Sequence, residues 1–542
     1  MRCWVKLPLT SIRIKRIPRT DAIDSPRVAA VRPFFIVAVV LAGCALTGLL
    51  SPAKSPPDRL PDLVPRAPTN AAADPHTPFG VGKAPFEARP STSCAAAACH
   101  GGGEVGKLGS EHSTWAPEAF PTGGMSDPHN KAYRVLFNEV SVRMGKLLHL
   151  KEAPHKEAIC LKCHAVETKA EPHIRDQILA EGVGCSACHG PADKWISVHY
   201  LPEWKGLAPE KKWQDYGFVP TKNLVARTLN CAGCHVGDAE REVNHDLIAA
   251  GHPRLAFEAA RFHYQPDYRK HWTERTAQPD FEIRAWIVGQ AAALRSATDL
   301  LRARAERAAA NDPKAIWPEF EGYSCYACHQ KVGEEALRGT TGVNPRPAGV
   351  PGWEVWSNTA VKIAARYCGE AYPGLSSPNL PELLELRELQ KLRALMESKR
   401  TPAPAVVAAQ AKKAVAELDA WLVAMQAAEE RGAKPVPKET AQRLAHALAC
   451  NALAKDQPLL ADHDWDALAT NYLGCAAMFH ASGGSSANQW APQLEKLRDS
   501  LRFPFTKDGR FNSPADLTHG KLELLLTNFK DLRKATAPMG GN

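Results

Sequence analysis

The sequence carries little excess charge outside its N-terminal segment. The 542 residues have a formal net charge of +9 at pH 7, and residues 1–43 contain eight Lys or Arg against two Asp or Glu. Six of the nine charges therefore belong to that segment, and the rest of the chain carries +3. A charge this small excludes the strongly basic surface with which a nucleic-acid-binding protein meets phosphates.

Aromatic residues and methionine are also scarce. Aromatic residues make up 7% of the chain, and only two of its 7 methionines, Met125 and Met144, lie between residues 91 and 330. The composition is nevertheless 44% hydrophobic and 23% charged, which excludes a wholly disordered chain. The length allows two or three globular domains.

One long hydrophobic run stands near the N-terminus. Residues 33–50, PFFIVAVVLAGCALTGLL, form an uncharged run of 18 residues behind eight Lys or Arg, and this is typical of an export signal. Within it, LAGC resembles a lipobox, in which Cys44 would be acylated; the alternative is an uncleaved anchor helix. Either places the rest of the chain on the periplasmic side of the bacterial cytoplasmic membrane. The Pro- and Ala-rich residues 51–90 would then form a tether.

Ten of the 15 cysteines lie between Cys94 and Cys328, and eight of these form four CxxCH motifs. Two thiols three residues apart can each add to one vinyl group of a haem, and the next residue then directs its imidazole at the iron. Composition alone would give only about 0.02 such motifs. The motifs predict c-type haem attachment through Cys160, Cys163 and His164; Cys185, Cys188 and His189; Cys231, Cys234 and His235; and Cys325, Cys328 and His329.

A zinc site is the alternative for two of these motifs. The pairs that begin at Cys160 and Cys185 have nearly the spacing of a zinc ribbon. A four-cysteine zinc site does not need a histidine directly after the second thiol, yet all four motifs have one. Haem attachment is therefore favoured over zinc or a disulfide.

The stretch SCAAAACHGGG contains a longer variant, CxxxxCH, formed by Cys94, Cys99 and His100. Its four alanines are small enough to bulge outward while the final Cys-His geometry is kept. We interpret it as a fifth attachment site, and the sequence thus predicts five covalently attached haem c groups.

The second axial ligand of each iron decides between an electron carrier and a catalyst, because an iron with both positions filled binds no substrate. Methionine is nearly absent from this region, so bis-histidine ligation and low reduction potentials are expected. Spare histidines are abundant in residues 91–330: His112, His129, His149, His155, His173, His199, His245, His252, His263 and His271.

His245 and His252, in VNHDLIAAGHPRLAFE, are the most informative candidates. Seven residues apart on a helix, they would share a face about 10.5 Å apart and serve two neighbouring irons, with Pro253 ending the helix. His129 and His199 are the next candidates. His112, His263 and His271 are further candidates that are equally compatible with surface histidines, as are His149 and His173.

The predicted fold class is mainly α, with a haem domain followed by a helical bundle. In residues 91–345, loops and short helices would pack around the haems, and one long helix over 281–310 would brace the last site. The attachment sites have no fixed period, which excludes a repeat array. A Pro/Gly-rich linker covers 344–353.

Residues 354–542 show helical periodicity without another haem motif. One amphipathic helix would begin at Asn379 or Pro381 and carry Leu383 to Leu395, and four more are predicted over 406–425, 441–453, 465–479 and 517–532. Cys450 and Cys475 could form a disulfide between adjacent helices. His446, His463 and His480 are more typical of surface or core positions than of ligands.

The sequence resembles a known family over residues 91–345. EGVGCSACHGPA, followed by Trp195 and His199, and the NCAGCHVGD and VNHDLIAAGHPRLAFE stretches resemble the multihaem cytochromes related to cytochrome c554, in particular the cytochrome c-552/4 domain proteins. This resemblance implies α structure, closely packed haems and periplasmic electron transfer. Cytochrome c554 has four haems, one five-coordinate, and receives electrons from hydroxylamine oxidation. Neither that partner nor that open site transfers to a chain with five attachment sites.

The leading functional prediction is a membrane-tethered periplasmic cytochrome that passes electrons between redox partner proteins and is not itself an enzyme. The first alternative is an oxidoreductase acting on a small nitrogen or sulfur compound at a five-coordinate haem. The second is a structural subunit whose helical region docks into a larger complex.

Overall fold

The computed structural model describes residues 86–102, 107–116, 127–263, 272, 274, 278–329, 346–347, 349–373, 375, 385–432, 434–454, 465–483, 489–502, 517 and 519–538. These residues belong to one compact unit. The predicted signal and lipobox with Cys44, most of the tether, His271, His463 and the expected helix start near residue 380 lie outside the described residues.

Short helices, separated by turns, make up the first part of the described chain. The α-helices are α1 (Glu111–Trp115), α2 (Glu139–Leu147), α3 (Ala158–His164), α4 (Pro172–Ala180), α5 (Cys185–His189), α6 (Pro202–Gly206), α7 (Pro209–Tyr216), α8 (Leu224–His235), α9 (His245–Ala250) and α10 (Ala259–His263). Short 3-10 helices cover Ser91–Cys94, Pro128–Lys131, Arg134–Phe137 and Pro154–Lys156. Proline opens several of these helices, where its missing N–H costs no hydrogen bond.

The long helix α11 (Phe281–Ala309) forms the centre of the fold and matches the predicted 281–310. It is buried on nearly every side, and Trp286 and Leu294 are fully buried. It packs against α8, which carries Cys231 and Cys234, and its Arg304 forms an ion pair at 3.1 Å with Glu321, four residues before Cys325. The last attachment motif lies in helix α12 (Cys325–Cys328), which follows the 3-10 helix Phe320–Gly322.

The remaining helices form the predicted bundle. They are α13 (Val355–Asn358), α14 (Val361–Ala371), α15 (Arg387–Met396), α16 (Pro404–Glu430), α17 (Lys438–Leu453), α18 (Trp465–Ala481), α19 (Ala491–Leu501) and α20 (His519–Thr536). Helix α17 packs against α18 and α20, and α15 lies against α16. Among the described residues the fold contains no strand, so the mainly α class is confirmed.

Two details of the bundle differ from expectation. Leu386 has a left-handed backbone with φ 52° and is buried, so α15 begins at Arg387 and does not include this residue of the predicted amphipathic face. Cys450 and Cys475 carry free thiols and form no disulfide. The Cys475 thiol donates to the carbonyl of Ala445 at 3.5 Å instead.

Helix α11 shares its core with both parts of the chain. Its Arg295 forms a buried ion pair with Asp419 of α16, with 2.8 Å between Nε and Oδ1. Across the same region the indole of Trp356 donates to the carbonyl of Phe257 at 2.9 Å. The described residues before and after the predicted linker are therefore packed around one helix. In the described part of the chain, no helix is long and apolar enough to span a membrane.

Glu258, just before α10, gives the fold a pH dependence. Its side chain is buried, and this burial raises its pKa to about 7, even though the amides of Ala260 and Arg261 donate to its carboxylate. The folded state therefore binds a proton that the unfolded state, with an ordinary pKa of 4.5, has lost. The contribution of Glu258 to stability is fully present below pH 4.5 and is lost as the pH rises through about 7.

Replacing Glu258 with glutamine is expected to raise the free energy of unfolding by about 2 kcal/mol at pH 8, with little change at pH 4.5. The neutral amide no longer has to ionise inside the core. Guanidinium unfolding followed by circular dichroism at both pH values measures the difference. Glu210→Gln, at an exposed position of α7, is the control. Equal stabilities of the Glu258 variant and the wild type at pH 8 would contradict the prediction.

Candidate haem-ligand sites

The CxxCH motifs lie on short helices or at helix ends. Helices α3, α5 and α8 each end at the histidine of a motif, and α12 ends just before one. Helical spacing places the two cysteines of a motif on the same side of the backbone. In the longer motif, Cys94 ends the helix Ser91–Cys94, and a turn follows in which the amides of Cys99 and Gly101 donate to the carbonyl of Ala96 at 2.9 and 3.1 Å.

Four motif histidines lie opposite four of the spare histidines. Two imidazoles bound to opposite sides of one metal have ring centres about 6.2 Å apart, because each metal–nitrogen bond is about 2.0 Å and each ring centre lies about 1.1 Å behind its nitrogen. The observed centre-to-centre distances are 6.2 Å for His100–His199, 6.3 Å for His164–His252, 6.1 Å for His235–His129 and 6.3 Å for His329–His245. The four pairs therefore have the separation that a shared iron requires.

Hydrogen bonds orient several of these rings. The Nδ1 atoms of His164, His199 and His252 lie 2.8, 2.8 and 2.7 Å from the backbone carbonyls of Ala132, Ile196 and Pro253. The Nδ1 atoms of His100 and His129 lie instead beside carboxylates, Glu111 at 2.9 Å and Asp127 at 2.8 Å. An Nδ1 that donates to such a partner leaves Nε2 as the ligand atom.

Burial also favours the ligand form of two rings. Desolvation lowers the pKa of His164 and of His252, although a backbone carbonyl at each ring opposes this. Only the neutral imidazole has a lone pair for a metal. Both histidines are therefore held in the form that can ligate.

His189 has a different environment from the other motif histidines. Its Nδ1 lies 3.2 Å from Thr221 Oγ1, and the rings of Phe218 and Trp272 lie 6.2 and 6.5 Å away. Gly190 follows it with φ 81°, where a Cβ would lie 2.0 Å from the carbonyl oxygen of Gly217, so only glycine fits there. His271, a predicted second ligand, is outside the described residues.

The other candidate ligands lie elsewhere. His112 is in α1 beside Trp115, with ring centres 5.8 Å apart, and its amide donates to the carbonyl of His100. His263 ends α10, with its Nδ1 2.7 Å from the carbonyl of Ala259 and its ring 5.5 Å from Phe281. His155 stacks on Phe137 at 4.2 Å.

His245 and His252 do not share a helix face, contrary to the prediction. Helix α9 ends at Ala250, because Gly251 has φ 118°, a left-handed conformation that glycine adopts readily. His252 therefore lies beyond the helix end, and Pro253 does not terminate it. The two histidines nevertheless face two different motif histidines, His329 and His164.

Neighbouring motifs contact one another directly. The Cys185 amide donates to Ser91 Oγ at 3.1 Å, and the neighbouring Cys94 thiol, together with burial, raises the pKa of Cys185. Asn230 of α8 donates to the carbonyls of Ala187 and Cys188 at 3.1 and 3.3 Å. The five-residue segment at Cys185 thus joins the first motif to the Cys231 motif.

A second thiol contact joins the Cys160 and Cys231 motifs. Cys234 lies beside Cys163, and its Sγ accepts from Arg241 at 3.3 Å. The neighbouring Cys163 thiol and the Arg241 charge lower the pKa of Cys234. Burial raises the pKa of the Cys188 thiol. Within the described residues, no three His, Cys, Asp or Glu side chains converge on a common metal position.

Large apolar side chains are exposed beside the ligands. Tyr200, 68% exposed, follows His199 with its ring 5.8 Å away, and Phe320, 51% exposed, lies 6.2 Å from His245. Ile159 is exposed directly before Cys160. Apolar side chains beside the imidazoles are compatible with the apolar faces of a porphyrin. The imidazole pairs, the thiols and these side chains together fit a haem.

The side chains that sequence reasoning missed are Glu111, Asp127 and Arg241. Asp127 could have been found, since it stands two residues before His129 in SDPHN and an aspartate commonly bonds a nearby backbone amide. Glu111 and Arg241 contact their partners only because the chain folds back on itself, and no local sequence pattern predicts these contacts.

Comparison with known proteins gives one family match. The family model described as cytochrome c554 and c-prime matches residues 125–190, which include His129 and the motifs at Cys160 and Cys185. This segment is therefore similar to c-type cytochromes, which hold haem c covalently and transfer electrons. The predicted resemblance is confirmed over this segment. No significant match was found among curated proteins or among solved structures.

Proposed function

We propose that the chain is an exported, membrane-tethered cytochrome that transfers electrons through five covalently attached haems. The observation that supports this best is the set of four imidazole pairs, each with ring centres 6.1–6.3 Å apart and each joining a motif histidine to a predicted second ligand. Bound haem would supply reversible one-electron chemistry between ferric and ferrous iron.

The chain's own residues limit that chemistry to electron transfer at the four paired sites. With a histidine on each side, no axial position is left for a substrate. The hydrogen bonds at His164 and His252 keep both rings in place, so neither has to reorient when the charge at the site changes. Low potentials are expected, since no methionine takes part in these pairs.

The contacts between motifs support transfer from site to site within the protein. Ser91 bonds to Cys185 and Asn230 bonds to Cys188, so the segment at Cys185 contacts the residues just before two other motifs. Attached groups held by such motifs are close neighbours, so electrons need not leave the protein between them.

The location and partners are part of the proposal. The basic N-terminus, the run over 33–50 and Cys44 support export and attachment to the periplasmic face of the membrane, by lipidation or by an anchor helix. The partners would be redox proteins of the periplasm or membrane.

The test is a haem count together with electron paramagnetic resonance on the purified, matured protein. We expect the intact mass to include five haems and the oxidised protein to give only low-spin signals. A high-spin signal that integrates to one haem would contradict the ligation of all five irons on both sides. It would support the alternative, an oxidoreductase of small nitrogen or sulfur compounds. A mass with fewer than five haems would contradict the count.

The longer motif has its own prediction. Replacing both Cys94 and Cys99 with serine is expected to remove one haem of the five, because no thiol remains to hold it. The matched control is Cys450→Ser, a cysteine outside every motif, which should keep all five. Intact mass spectrometry under denaturing conditions measures both. An unchanged mass in the double variant would show that CxxxxCH does not attach haem.

A further inference from the structure

The histidine pairs differ in the charge of the group behind the ring. In the His164–His252 pair, both Nδ1 atoms lie beside backbone carbonyls, at 2.8 and 2.7 Å. In the His100–His199 pair, one ring has a carboxylate partner, Glu111 at 2.9 Å. In the His235–His129 pair, the carboxylate is Asp127, at 2.8 Å from His129.

Both carboxylates are fixed by the backbone as well as by the ring. Glu111 accepts from the amide of Gly109 through both of its oxygens, at 3.0 and 3.1 Å. Asp127 is buried, and its Oδ1 accepts from the amide of His129 at 3.0 Å in addition to the ring. Backbone hydrogen bonds therefore hold each carboxylate beside its histidine.

A charged acceptor changes what the imidazole gives to a metal. A carboxylate draws the Nδ1 proton more strongly than a neutral carbonyl does, which makes the opposite nitrogen a stronger electron donor. Stronger donation stabilises ferric over ferrous iron and lowers the reduction potential. The carbonyl-backed pair lacks this effect.

We propose that Glu111 and Asp127 are positioning residues that lower the reduction potential at the His100–His199 and His235–His129 sites relative to the His164–His252 site. This inference rests on the proposed function, in that each pair must hold a haem. The inference also predicts where electrons reside at equilibrium. They occupy the carbonyl-backed His164–His252 site in preference to the two carboxylate-backed sites.

The experiment is a redox titration of the full, haem-loaded protein and its variants, followed by optical and electron paramagnetic resonance spectra. Glu111→Gln and Asp127→Asn keep the size and the acceptor oxygen but remove the charge. Each is expected to raise the reduction potential of one haem by at least about 59 mV, which is a tenfold change in its redox equilibrium. Glu111→Asp and Asp127→Glu, which keep the charge, should stay close to the wild type. The control is Glu152→Gln, an exposed residue beside Lys156.

Two failures can be told apart. If the neutral variants keep five low-spin haems and all five potentials, the carboxylates do not tune these sites and the inference is overturned, while the proposed function stands. If the wild type itself lacks haem at these motifs or shows no bis-histidine signals, the proposed function fails. Equal shifts in the charge-keeping and neutral variants would assign the effect to shape and would also overturn the inference.

Discussion

Replacing His252 with alanine is expected to convert one of the five haems from low spin to high spin. His252 faces His164 with ring centres 6.3 Å apart, and its Nδ1 is held by the carbonyl of Pro253 at 2.7 Å. Removing the ring leaves one axial position of that site without its side chain. The measurement is electron paramagnetic resonance of the oxidised protein, in which a new high-spin signal should integrate to one haem.

The control for this prediction is His173→Ala, since His173 is an exposed histidine of α4. Its spectrum should match the wild type in full. The haem count of both variants should stay at five, because attachment depends on the cysteines. A purely low-spin spectrum of the His252 variant would show that another residue is the ligand of this site.

Replacing Asp419 with asparagine is expected to lower the free energy of unfolding by about 3 kcal/mol. Asp419 and Arg295 are both buried, and their ion pair joins α16 to the central helix α11. The substitution keeps the shape but leaves the buried guanidinium with less opposing charge, although Asp299 still lies 3.1 Å from it. Guanidinium unfolding at neutral pH, followed by circular dichroism, measures the change.

The matched control is Glu385→Gln, which removes the charge of an exposed pair with Arg387. Water screens such a pair, so a change below about 0.5 kcal/mol is expected. A loss of that same small size in the Asp419 variant would mean that the buried pair is not what holds the two helices together.

Local signals in the sequence were enough to predict the five longest helices of the described chain. The long helix differs by one residue from its predicted end, and helices α16 to α18 and α20 lie close to their predicted ranges, because each is at least 16 residues long and rich in apolar residues. Helices α14 and α19 were missed. They are short, with 11 residues each, so their apolar pattern spans only about three turns.

The attachment residues of the site could be predicted from the sequence, but the pairing of the histidines could not. The attachment motifs are local patterns, so their residues could be read directly, and the four best spare histidines each face a motif histidine. Which histidine faces which could not be derived, since His129 pairs with His235, 106 residues later. The end of α9 was misjudged because Pro253 seemed the stronger helix breaker, whereas Gly251 acts two residues earlier.

The segment from His245 to His252 sets a distance between two parts of the molecule. One end lies opposite His329 and the other opposite His164, so a single short stretch of backbone belongs to both pairs. Inserting or deleting one residue in it would displace one ring relative to the other, whatever the side chains between them. The number of residues between the two histidines therefore fixes the separation of the two pairs. We expect the length of this segment to be more strictly constrained than its composition.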